Sequence, residues 1–249
     1  MLIMKVLICT SFFLSFVILS YSQYVSNSPT VKSSYDKGYI PPTQSYNIQK
    51  GGVKNEYAET IIDGKTVLGF PFIFYDWCEG NITLEDGKYY TGYKLKYDIY
   101  GQTILFLSGT KSLEVDGDIK EFTLVSVEGK IMRFINGRSL SRKNGILYYQ
   151  VLADEESGSL LKVYKKVVVS SINQIIDVQG TKSLETKIEY FYYNKISKKL
   201  LPIKKEKADI ENVLKIDNEN SEKLKLINYD FTVEDKFVSF FKNFLKDRK

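Results

Sequence analysis

The 249-residue chain contains no histidine. That absence excludes Ser–His and Cys–His nucleophilic catalysis, imidazole metal sites and the ordinary switch that titrates near neutral pH. Cysteine is nearly as scarce. Of the two present, Cys9 lies in an apolar N-terminal run and Cys78 in the body. If the run is cleaved, Cys78 has no partner for an internal disulfide, and the fold must stand on its core and hydrogen bonds. No second long apolar run follows the first, so no membrane anchor is expected in the mature chain. A basic–aromatic motif for nucleic acid is also missing.

What is present begins with a basic start ending at Lys5, an apolar stretch over residues 6–19, and small residues Ser20 and Ser22 around Tyr21. This pattern predicts a secretory signal peptide over residues 1–22, hence an exported protein of the periplasm or the cell exterior. The net charge is concentrated at one end. Residues 195–249 carry fourteen Lys/Arg against ten Asp/Glu, whereas residues 23–194 carry twenty of each. Interleaved charges on helices describe a solvated face more readily than an anionic-partner site.

Residues 23–55 are rich in Ser, Tyr, Pro, Gln and Asn, which predicts a flexible or extended arm. Residues 56–203 read as successive antiparallel strands. Turn pairs stand at Asp63-Gly64, Asp86-Gly87, Asp116-Gly117 and Asn136-Gly137, each tolerating the positive φ of a tight hairpin. In KYYTGYKLKY, alternation puts Tyr89, Thr91, Tyr93, Leu95 and Tyr97 on one face and Lys88, Lys94 and Lys96 on the other. In LETKIEYFYY it groups Leu184, Thr186, Ile188, Tyr190 and Tyr192. Residues 204–249 turn helical. Two short helices are expected over 205–214 and 219–227. A third should start at Thr232 as N-cap, with Asp235 completing a capping box and Val233, Phe237, Phe240, Phe241 and Phe244 forming a buried stripe.

Gly69, Pro71, Phe72, Trp77, Gly80, Ile82, Leu84, Asp86, Gly87, Leu95, Lys96, Tyr97, Asp98 and Tyr100 form a pattern that resembles a large family of secreted, functionally uncharacterised β-rich proteins of Bacteroidota-type bacteria. The resemblance extends over roughly residues 68–245. It implies a β-rich secreted fold and carries no catalytic residue onto this chain.

Individual motifs are weak in chemistry. Cys78 stands between Trp77 and Glu79, two residues from Asp76, a setting that disfavours the thiolate and suits an inert thiol. Glu114, Asp116 and Asp118 lack the spacing of a helix–loop–helix calcium site and read as a turn. Paired carboxylates could hydrolyse glycosides without histidine, but no acid here stands in a recognisable catalytic context.

The expected fold is mainly β (α+β), an antiparallel β-meander curved into an open barrel or roll, with two to three C-terminal helices packed on it. The expected function is that of an exported, non-catalytic monomer, without cofactor or metal, that acts through its surface on another envelope component. A carrier of lipid or another apolar ligand in a sheet–helix cavity is the alternative, and a carboxylate-based hydrolase the third reading. Tyr89, Tyr93, Tyr97, Phe237 and Phe241 are the candidate ligand face. For Tyr89, Tyr93 and Tyr97 the plainer reading is ordinary core.

Overall fold

The computed structural model describes residues 30–32, 39–40, 59–62, 65–140, 147–171, 181–216 and 229–247. The expected signal peptide, most of the arm and the expected helix over 219–227 lie outside these residues.

Among the described residues there are fourteen strands, namely β1 (Thr30–Lys32), β2 (Tyr39–Ile40), β3 (Glu59–Ile62), β4 (Lys65–Leu68), β5 (Cys78–Leu84), β6 (Tyr89–Asp98), β7 (Thr103–Ser108), β8 (Lys111–Asp116), β9 (Ile119–Val125), β10 (Ile131–Asn136), β11 (Tyr148–Asp154), β12 (Gly158–Ser171), β13 (Thr181–Asn194) and β14 (Lys199–Ile203). Two helices follow among the described residues, α1 (Lys207–Ile216) and α2 (Glu234–Lys246). All strands belong to one sheet, ordered β1-β8-β7-β6-β5-β9-β10-β11-β12-β13-β4-β3-β2, with β14 also on β13. Every pairing is antiparallel except β13 with β4. The chain is a β-rich α+β protein built on an open, rolled sheet.

Consecutive strands pair as hairpins in most of the sheet, with three departures from a simple meander, β1 beside β8, β4 beside β13 and β9 beside β5. The Asp116-Gly117 corner does not fold β9 back onto β8. β9 instead pairs along β5, from Glu79↔Val125 to Leu84↔Ile119. The other links of the circuit β5-β6-β7-β8 are hydrogen-bonded ladders, and two residues, Gly117 and Asp118, carry the chain from β8 to β9. Strands β5 to β9 therefore wrap around a common interior. Gly117 takes φ +127° at this corner, where a Cβ would stand 3.2 Å from Leu84 Cδ1.

The roll interior is filled by Cys78, Ile82, Leu95, Tyr97, Phe106, Phe122, Leu124, Phe134 and their neighbours. Phe122 stacks on Phe134 at 4.7 Å, and Tyr97 meets both edge-on at 5.4 Å. A second core lies under the helices, where Leu160, Tyr192 and Ile203 of the sheet meet Ile210 and Leu214 of α1 and Phe237, Phe240, Phe241 and Leu245 of α2. Register places both cores along one row of cross-strand partners, Tyr90, Ile82, Phe122, Phe134, Gln150, Lys162, Tyr190 and Ile203. Partners directly opposite each other share a face. The row is apolar at both ends and polar in the middle.

Two expected details are corrected. Opposite Gly80–Ile82 of β5, strand β6 spends one residue more than its partner, pairing Tyr93 with Gly80 and Tyr90 with Ile82. Gly92 adopts φ +74° in this bulge, and Asn81 Oδ1 accepts from Thr91 Oγ1 at 2.6 Å. The extra residue shifts the alternation by one. Tyr90 is buried and Tyr89 is 55% exposed, so Tyr89 leaves the face it was assigned. At α2 the N-cap is Val233, with no side-chain cap bond. Thr232 lies one residue before the cap, where its hydroxyl and its N–H both donate to Asp230 Oδ1, at 2.5 and 3.1 Å.

Candidate functional site

Among the described residues, the polar middle of the transverse row places a buried charge between the two cores. Lys162 sits on β12 between Leu161 and Val163 and is buried. Strand alternation turns Leu161 and Val163 to the opposite face, where they pack with Tyr149 and Tyr193, and leaves Lys162 facing inward between the two cores. Gln150 of β11 and Tyr190 of β13 flank it as direct cross-strand partners. The missing acceptor comes from α2, whose first residue, Glu234, places Oε2 2.6 Å from Lys162 Nζ. The Tyr190 hydroxyl donates to the same Oε2 in a short bond.

Aromatic faces complete the surround. Lys162 Nζ stands 4.9 Å from the Tyr164 ring centroid and 5.7 Å from that of Tyr190. Lys205 Nζ lies 5.6 Å from the Tyr190 ring and donates to Thr232 O at 2.9 Å. The Tyr164 hydroxyl donates to Gln150 Oε1 at 2.7 Å.

Electrostatics locks these protonation states. Burial works to raise the Glu234 carboxyl, but the hydrogen bonds from Lys162 and Tyr190 and the charges of Lys162 and Lys205 outweigh it and hold the group below its ordinary value. Burial, reinforced by the Glu234 carboxylate, pushes the Tyr190 and Tyr164 hydroxyls well above the usual phenol range. A proton-transfer catalyst needs a group drawn toward the working pH. Here the carboxyl moves down and the phenols move up. The arrangement fastens α2 to the sheet through a matched ion pair.

The expected ligand face is not assembled in one place. Tyr97 is in the roll core, its hydroxyl donating to Gln102 Oε1 at 2.7 Å. Tyr93 packs edge-on against Phe106 at 6.0 Å beside that core, and Tyr89 points to solvent. Phe237 and Phe241 are fully buried in the second core. The space between sheet and helices is occupied by rings, with Phe237 5.1 Å from Phe241 and 5.4 Å from Tyr190, and Phe241 6.0 Å from Tyr192. Cys78 is buried, and burial, with Asp76 adding to it, raises its thiol above the ordinary range, which disfavours a reactive thiolate.

The Lys162 cluster was not foreseen from the sequence. The one local signal is a single lysine within the apolar run Ser159-Leu160-Leu161-Lys162-Val163-Tyr164, on the face that also carries Leu160 and Tyr164. Its partner lies 72 residues away. Compared with protein-family models, curated proteins and solved structures, the chain matches none of them.

Proposed function

We propose that this is an exported, non-catalytic protein of the cell envelope that acts through its surface on another envelope component. The observation that carries this reading is the packing of both cores. Tyr97, Phe122 and Phe134 fill the roll, and Phe237, Phe240 and Phe241 fill the space beneath the helices, all nearly or fully removed from solvent. Close-packed ring clusters leave recognition to the outside of the molecule. The signal-like residues 1–22 and the resemblance to secreted β-rich proteins support the compartment.

Native mass spectrometry of the protein purified gently from its own envelope tests the reading. The expected spectrum shows the bare chain, with envelope co-fractionation that added salt reverses. Extra mass that is lost on denaturation and extracts as lipid would overturn it in favour of the carrier.

A further inference from the structure

Between β4 and β5 the loop over residues 69–77 carries Phe70, Phe72, Tyr75 and Trp77 within eight residues. It is tied to the end of β6, where Ile73 N donates to Tyr97 O at 3.0 Å and Ile99 N to Pro71 O at 2.9 Å. This anchoring sets three rings around one cation. The Lys96 ammonium lies 5.5, 5.0 and 5.2 Å from the ring centroids of Phe70, Phe72 and Trp77. Phe70 meets Phe72 edge-on at 5.1 Å and stacks on Tyr75 at 5.2 Å, so the wall continues outward to a tyrosine that is 40% exposed.

We propose that Phe70, Phe72 and Trp77 form a binding site for quaternary ammonium groups, in which Lys96 sits as a tethered occupant. The rings attract positive charge through their negative faces, and the gain grows as the cation sheds water. A primary ammonium gives up three strong hydrogen bonds to water on entering such a cage. A tetraalkylammonium gives up none and offers methyl groups that pack on the rings, so the same walls suit it better. Burial disfavours the charge on Lys96, against the attraction of Asp76, which makes the lysine a displaceable occupant. Its flexible four-carbon stem lets the head leave without moving β6. Asp76 remains beside the cage to balance an incoming cation. The inference does not rest on the proposed function, and the ligand chemistry is that of a choline-type head, free or on a lipid.

Trp77 is the only tryptophan in the chain, so its emission reports the cage directly. The full chain is titrated with tetramethylammonium chloride against sodium chloride at matched ionic strength. A saturable, tetramethylammonium-specific change is expected, with half-saturation at least about tenfold lower in Lys96→Gln than in the wild type and lost in Lys96→Gln with Phe70→Leu. Lys96→Met serves as a second unblocked cage, and a cooperative melt verifies folding of each variant. If folded Lys96→Gln and Lys96→Met respond to tetramethylammonium only as to sodium, the rings are a clamp for Lys96 and the proposal fails. Free choline and phosphatidylcholine vesicles, with phosphatidylglycerol vesicles as control, then separate the two sources, and saturable binding of either choline form supports the site.

Discussion

At the scale of single residues, two positions show how little room the packing leaves. Gly80 on β5 lies where a Cβ would come within 2.2 Å of Thr123 O and 2.7 Å of Leu95 Cδ1. The first contact is backbone and cannot swing away, so Gly80→Ala is expected to lower stability by about 3 kcal/mol in denaturant melts. Lys162 and Glu234 show the other constraint. Lys162→Met would leave a carboxylate facing tyrosine rings without its cation, at an expected cost of about 2 kcal/mol, below the ~3–5 kcal/mol of a fully buried pair because Glu234 keeps 30% of its side-chain surface in water. The pair also sets an acid dependence. Because folding lowers the Glu234 carboxyl from its ordinary 4.5, the native state binds fewer protons there than the unfolded chain. Its stabilisation is present above that value and is lost as pH falls through the native one. Between about pH 5 and pH 3 the wild-type melting temperature should therefore fall more steeply than that of Glu234→Gln.

At the scale of elements, sequence periodicity succeeds where local rules act alone and fails where an element is tied to something distant. Helical spacing predicts the buried stripe of α2 at Phe237, Phe240 and Phe241, and the pair Ile210 and Leu214 that of α1, whereas Phe244 is only partly buried and Val233, the cap outside the helix, is 43% exposed. Thr232 and Asp235 satisfy the capping-box pattern, yet Asp230 takes the threonine hydroxyl and Lys162 takes the neighbouring Glu234. In β13 the alternation of Leu184, Ile188 and Tyr192 is correct in phase, but Ile188 is 47% exposed because the middle of the long β12–β13 hairpin lies between packed regions. The β6 bulge is the clearest case. Gly92 inside a strand pattern is a bulge signal, and reading through it as regular alternation assigned Tyr89 inward instead of Tyr90. Nothing stands within 4 Å of a Cβ placed on Gly92, so any penalty there is conformational. Gly92→Val should cost about 1–3 kcal/mol, while Gly92→Asn, which tolerates positive φ, should cost distinctly less. Thermal melts of the two variants side by side decide this.

At the scale of the whole molecule, the strand order closes on itself more than a meander would. The arm strands β1 and β2 pair with β8 and β3 at opposite ends of the sheet. From Lys32 to Tyr39 the chain has seven steps, a reach of at most about 25 Å. Laid flat, thirteen strands would be roughly 58 Å across. The two ends of the sheet are therefore brought near each other by its curl, and the short arm strands cover the backbone groups of both edges. Removing residues 23–50 should uncover β8 and β3, lowering the melting temperature by several degrees and promoting self-association, which light scattering would detect. The sequence predicts a sheet curved into an open barrel or roll, but not which strands the curl joins, because turn chemistry specifies where the chain reverses and says nothing of which older strand receives the next one.

The β5–β9 ladder also bears on the order in which the roll assembles. Hairpins from β9 to β14 join neighbours in sequence and can form as soon as each turn does. The ladder that seals the roll joins Leu84 to Ile119 and Glu79 to Val125, and must wait until β6, β7 and β8 have been laid down between them. Pairings of such sequence separation slow folding. During refolding, amide protection should rise earlier along β11–β13 than along β5 and β9, leaving the aromatic interior of the roll transiently open while the hairpins beside it are already made.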